Sequence, residues 1–305
     1  MKREKPTNLP ASIRDRLLKI AKQRGEEFQN LLISYALERW LYRLSRSQYR
    51  DRYLLKGAML FALWTDEPHR ATQDLDLLGY GANSIAEVER IFLEICLTEC
   101  EADGLEILPA SVQGNVIRED RVYEGVRIHV VAMLGNARIP LQIDVGFGDS
   151  VVPAPIETTF PTLLDLPAPR LRAYRMETAI AEKFHAMIER GISNSRMKDY
   201  YDIWILAGTF EFDGATLSES IRAVFERRQT AIPQTVPIGL STEYAEHPEK
   251  QAQWRAFVRR GKLKSKAVML PEVIARLNDF LMPVISLAAR EALPNKSWKP
   301  NDGWK

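Results

Sequence analysis

The chain has 305 residues, 46% hydrophobic and 27% charged, which is ordinary for a folded globular protein and long enough for two modest domains. A formal net charge of +2 excludes a global field for polyanions, so any basic surface must be local. No segment approaches the run of about 18 apolar residues that a membrane span needs, and no apolar leader opens the chain, so the expectation is a cytoplasmic protein.

Residues 10–24 and 27–50 predict two helices, with Ser12 as N-cap of the first. The second carries an apolar stripe, Phe28, Leu31, Leu32, Tyr35, Leu41 and Leu44, at a period near 3.6. It also carries Arg39, Arg43, Arg46 and Arg50, spaced so that their guanidiniums line one face. A solvated face and a phosphate-binding face both fit that row.

Lys56-Gly57-Ala58 then opens an apolar, helix-like run to Trp64, followed by Arg70 and by Asp74-Leu75-Asp76-Leu77-Leu78. In a strand, side chains alternate, so Asp74 and Asp76 share one face while Leu75 and Leu77 take the other. Two adjacent acids repel unless a cation sits between them. Hard divalent ions such as Mg²⁺, about 3.5–4 Å apart, do this in phosphoryl and nucleotidyl transfer. Gly57 allows a backbone turn to approach a phosphate at a helix N-terminus.

Residues 84–102 predict a further helix, with Cys96 and Cys100 four apart on it. No third cysteine or histidine stands nearby to complete a zinc site, so both read as core thiols. Strand-like runs follow at 105–112, 114–118, 121–134 and 138–147, and Gly135-Asn136 reads as a hairpin turn. Asp144 lies within the apolar last run, whereas Asp149, after two glycines, reads as a loop residue.

Five prolines between 151 and 170 exclude a long helix and suggest a connector between two lobes. Leu171-Arg172-Ala173-Tyr174 suggests a short strand, and helices are expected thereafter. In the helix 176–190, Lys183 falls inside the apolar face, and in the next, Asp202 lies among apolar residues with Asp199 one turn earlier. A buried lysine and buried acids on consecutive helices invite pairing, as a structural salt bridge or as a functional group. Further helices are expected near 216–228, 243–260 and 271–290, with a basic block at Arg255, Arg259, Arg260, Lys262, Lys264 and Lys266 that suits either solvent or nucleic-acid phosphates.

A glycine, a helix and Asp-x-Asp in a strand resembles the nucleotidyltransferase superfamily signature. More specifically, Lys56-Gly57 followed by Arg70-x-x-x-Asp74-Leu75-Asp76-Leu77 resembles the N-terminal motif of the AbiEii/AbiGii toxin family. Ala181-Glu182-Lys183-Phe184-His185 through Arg190, then Arg196-Met197-Lys198-Asp199-Tyr200-Tyr201-Asp202-Ile203, resembles its C-terminal motif. These are nucleotidyltransferases of bacterial type IV toxin–antitoxin and phage-defence systems. The chain departs from the pattern at Ala58, where a second Gly or Ser is usual, at Gln73, and at Lys198, where arginine is usual.

The resemblance implies an α+β fold with a nucleotidyltransferase-like mixed sheet. N-terminal helices (1–50) would precede a core at 51–165 and a helical C-terminal domain at 166–305. It implies Asp74, Asp76 and Asp144 as ligands for Mg²⁺ or Mn²⁺, with Asp144 as the third carboxylate and general base. The Gly57-Ala58 turn would receive phosphate. Lys56, Arg70 and Lys183 would meet the β- and γ-phosphates, and Asp199 and Asp202 would orient Lys183 or contact the base or metal. The implied reaction is transfer of NMP from an NTP to an RNA acceptor, tRNA being a known type. Growth arrest would follow, relieved by a separate antitoxin. A nucleotide-binding protein without turnover, supported by Ala58, and a small-molecule nucleotidyltransferase are the alternatives.

Overall fold

The computed structural model describes residues 8–65, 70, 72–120, 123–261, 263, 268–288 and 296–305. It forms two compact units, one of residues 1–148 and 156–173, the other of 149–155 and 174–305.

The first unit opens with α1 (Leu9–Arg24) and α2 (Phe28–Arg46). Asn8, not Ser12, caps α1: its side chain accepts from the backbone N–H of Ala11 at 3.1 Å. Pro10 accounts for the earlier start, because a proline without an N–H is well placed in a first helical turn. Gly25, at φ +66°, ends the helix in the left-handed conformation that glycine adopts freely.

From Leu31 to Leu44 every residue of α2 except Ser34 is buried, Glu38, Arg39 and Arg43 included. This overturns the reading of the arginine row as an outward face. Asp103 is the reason. Arg43 Nη1 lies 2.7 Å and Arg39 Nε 3.3 Å from its Oδ2, and Tyr35 donates to its backbone carbonyl at 2.6 Å. Glu38 accepts from the Leu163 N–H at 2.7 Å, and Arg39 Nη1 donates to the Pro167 carbonyl at 2.8 Å. The proline-bearing stretch is thus fastened to α2 by buried charge. Arg46 is exposed, and Arg50 pairs with Glu157.

A sheet follows: β1 (Tyr53–Lys56), the short α3 (Phe61–Trp64), β2 (Asp74–Gly79), α4 (Ile85–Cys96), β3 (Leu105–Asp120), β4 (Tyr123–Leu134), β5 (Ala137–Phe147), β6 (Ile156–Thr159) and β7 (Arg170–Ala173). Strand order is β3-β4-β5-β2-β1-β7-β6. β2 runs parallel to β5, β1 runs parallel to β7, and the other pairings are antiparallel. The expected runs 105–112 and 114–118 are one strand with a register shift between Leu108 and Gln113. There Ser111 spans the gap, donating to the Leu108 carbonyl at 2.6 Å and accepting from the Val131 N–H at 2.8 Å. Gly135, at φ +59°, makes the hairpin turn between β4 and β5. α4 ends at Cys96, a buried free thiol whose pKa burial pushes up to about 11; Cys100 is half-buried and free.

The second unit contains α5 (Met176–Arg190), α6 (Met197–Thr209), β8 (Phe212–Asp213), α7 (Gly214–Arg227), α8 (Thr242–Glu246), α9 (Pro248–Gly261), α10 (Leu270–Ala288), β9 (Ser297–Lys299) and β10 (Gly303–Trp304). The predicted helix 243–260 is two helices, the second opening on Pro248. The unit is not wholly helical: β8, β9 and β10 form a three-stranded sheet. Strands of two or three residues carry no readable alternation. Rings hold this one: Trp304 stacks on Phe280 with centroids 5.9 Å apart, and Trp298 Nε1 donates to the Ala207 carbonyl at 2.8 Å. Among the described residues, no helix is long and apolar enough to cross a membrane.

Candidate active site

The centre of the first unit's sheet gathers the N-terminal motif. β2 alternates as read: Leu75 and Leu77 are buried, and Asp74 and Asp76 are half-buried on the opposite face. On one side, β1 sets Lys56 opposite Asp76. On the other, β5 sets Gln142 opposite Asp74 and Asp144 opposite Asp76. Three carboxylates from two parallel strands therefore occupy adjacent positions on one face.

Gly57 follows Lys56 at φ +72° and begins a 3-10 turn, Gly57–Leu60. A Cβ on Gly57 would fall 1.9 Å from Asp76 Oδ2, so the carboxylate of Asp76 lies directly against bare glycine backbone. The space that a side chain would fill is occupied by that carboxylate. Ala58 is the next residue of the turn and half-buried. Thr72 Oγ1 donates to Asp74 Oδ1 at 2.5 Å, which fixes the first acid. Arg70 is half-buried just before it in sequence.

Asp144 has a partner that motif reading missed. Arg127 on β4 grips it with a fork, Nε to Oδ1 at 2.8 Å and Nη2 to Oδ2 at 2.6 Å. The signal was available. A hairpin turning at Gly135-Asn136 pairs residue 134 with 137 and, counted outward, 127 with 144.

Asp74 and Asp76, hard oxygen donors beside bare glycine backbone, fit a hard divalent cation. Among the described residues, no group of three or more His, Cys, Asp or Glu side chains is arranged to hold a metal ion.

The second unit gathers the C-terminal motif. Lys183 on α5 places Nζ 2.9 Å from Asp199 Oδ1 and 2.9 Å from Asp202 Oδ2, both acids on α6. Their side chains are 2% and 0% exposed. Arg196 Nε, at 3.0 Å, holds the other oxygen of Asp199. Two buried acids thus fix one ammonium between them. Asp149 belongs to this unit, paired with Arg228 at 3.1 Å. Arg228 also reaches the buried His185, whose Nε2 lies 2.9 Å from Thr230 Oγ1. Of the basic block, Arg255, Arg259 and Arg260 are exposed on α9, while Lys262, Lys264 and Lys266 lie outside the described residues.

No curated protein matches the chain. Solved structures resemble it at low identity, among them these three. JHP933 from Helicobacter pylori is 13% identical, with 86% of this chain and 93% of that one covered and a TM-score of 0.48. A putative nucleotidyltransferase from H. pylori is 14% identical, covering 86% and 96% at 0.46. MenT4, a nucleotidyltransferase toxin from Mycobacterium tuberculosis H37Rv, is 16% identical, covering 93% and 99% at 0.48. The family of nucleotidyl transferase AbiEii toxins, of type IV toxin–antitoxin systems, matches residues 39–278, most of the chain, and the protein belongs to that family.

Proposed function

We propose that this nucleotidyltransferase toxin moves a nucleoside monophosphate from an NTP to a hydroxyl of an RNA acceptor, tRNA being the acceptor class carried over from the family resemblance. One observation carries the reading: the parallel pairing of β2 and β5 that puts Asp144 beside Asp76, with Asp74 on the same face and Gly57 against Asp76. In the reaction, an acceptor oxygen forms a bond to the α-phosphorus. The bond from that phosphorus to the β-phosphate bridging oxygen breaks, and pyrophosphate leaves with the displaced electron pair.

Asp74 and Asp76 would hold Mg²⁺ or Mn²⁺, which supplies neutralisation of the triphosphate charge. The Gly57-Ala58 turn, which begins the 3-10 turn after β1, would offer backbone N–H groups to phosphate oxygens. Lys56, opposite Asp76, and Arg70 supply positive charge for the β- and γ-phosphates. Asp144 takes the acceptor's proton once its own oxygens are released. Lys183, oriented by Asp199 and Asp202, is assigned to phosphate binding in the second unit. The protein would work in the cytoplasm, and a separate antitoxin would restrain it.

The test combines purified protein, Mg²⁺, total bacterial RNA and each α-labelled NTP in turn. Label in a tRNA-sized band with one NTP, absent with Asp76→Asn of unchanged fold, is the expected result. Transfer retained by Asp76→Asn overturns the assignment. Transfer only to protein or to a small molecule overturns the RNA acceptor.

A further inference from the structure

Asp144 is fully engaged. Besides the two bonds from Arg127, Gln142 Nε2 lies 3.4 Å from Oδ2, so both carboxylate oxygens already face donors. Such a fork is the strongest match a guanidinium makes with a carboxylate. Yet the two partners differ in exposure: the Asp144 side chain is 14% exposed and that of Arg127 is 37%. The guanidinium is thus the partner nearer to solvent, and the acid sits beside Asp76.

We propose that Arg127 gates the third carboxylate. It is an internal cation that occupies Asp144 and must release it before Asp144 joins Asp74 and Asp76 around a divalent ion. Guanidinium and metal compete for the same two oxygens. This rests on the metal-dependent reading of Asp74 and Asp76. Arg127 acts through Asp144 and is a positioning residue.

The alternative is a cross-strand pair that only steadies the β4–β5 ladder. Mn²⁺ alone, titrated into the purified full chain and followed by the electron paramagnetic resonance of the free ion, separates the two. Gating predicts that Arg127→Met, which keeps an apolar stem, binds Mn²⁺ on the order of tenfold more tightly than wild type, the scale on which outer partners tune a metal ligand. Adding Asp144→Asn to Arg127→Met should remove that gain. Unchanged or weaker binding in Arg127→Met overturns the gate, as does a gain that survives Asp144→Asn. Circular dichroism confirms the fold of each variant, and Arg127→Gln repeats the comparison should Met misfold. Asp74→Asn/Asp76→Asn tests the underlying reading separately. If it still binds Mn²⁺ as wild type does, the metal assignment falls, whatever Arg127→Met shows.

Discussion

Gly57 and Asp76 are in van der Waals opposition: a methyl group on the glycine would sit 1.9 Å from the acid's Oδ2 and 2.6 Å from its Cβ. Backbone and carboxylate here are fitted to each other. Gly57→Ala should therefore do two things. Its positive φ costs roughly 1–2 kcal/mol of stability for any L side chain, seen as a lower urea midpoint. It should also push Asp76 aside and weaken Mn²⁺ binding. Wild-type Mn²⁺ affinity in a folded Gly57→Ala protein would show that the glycine has no part in the site.

Asp103 is the shared anion of Arg39 and Arg43, with all three side chains at 7% exposure or less. Removing one partner from such a cluster leaves buried charge uncompensated, at about 3–5 kcal/mol. Asp103→Ala should lower the unfolding free energy by that amount in urea titrations, whereas Arg46→Ala, on the exposed turn of the same helix, should change it by less than about 0.5 kcal/mol.

Burial pushes the Glu38 carboxyl up from its ordinary 4.5 to about 7, against the opposing pull of the Leu163 N–H and Arg39. The native state thus favours the protonated form more than the unfolded chain does. This contribution is fully present below pH 4.5 and is lost as pH rises through about 7. It amounts to at most about 3–4 kcal/mol. Glu38→Gln keeps an acceptor for Leu163 but cannot titrate. Its stability should fall less than wild type's between pH 5 and pH 8 in paired urea melts. Equal slopes would remove Glu38 from the pH response.

Lys183 holds two acids that are almost completely buried. Lys183→Met should destabilise the protein by about 3–5 kcal/mol at pH 8. Lys183→Arg, which keeps the charge, should recover part of the stability at pH 8. Equal losses for Met and Arg variants would mean that shape, not charge, holds α5 to α6.

Much of this was legible in the chain. Hydrophobic period placed α2, α5 and α6 within a few residues and found the start of α4, which ends six residues before the expected 102 and leaves Cys100 outside it, and alternation put Asp74 and Asp76 on one face of β2. Lys183 was legible as a buried cation because a lysine inside an apolar stripe needs an anion, and Asp199 and Asp202 were the nearest buried acids. Other features escaped. The arginines of α2 looked like a surface because their partner, Asp103, comes some sixty residues later, and periodicity says nothing about distant charge. The β8–β10 sheet escaped because it is held by rings rather than by pattern. Arg127 escaped through narrower reading: motifs direct attention to acids, whereas register counted from a hairpin turn would have delivered their counter-ion.

β2 and β5 lie side by side, but the chain between them must first fold α4 and lay down β3 and β4. Asp76 cannot meet Asp144 until Phe147 and the hairpin before it are in place. During synthesis, the two acids of β2 leave the ribosome long before the third, and the sheet that unites them closes late, through contacts distant in sequence. No shorter stretch of the chain can bring these three acids together, because the strand that carries the last of them is the fifth to be made.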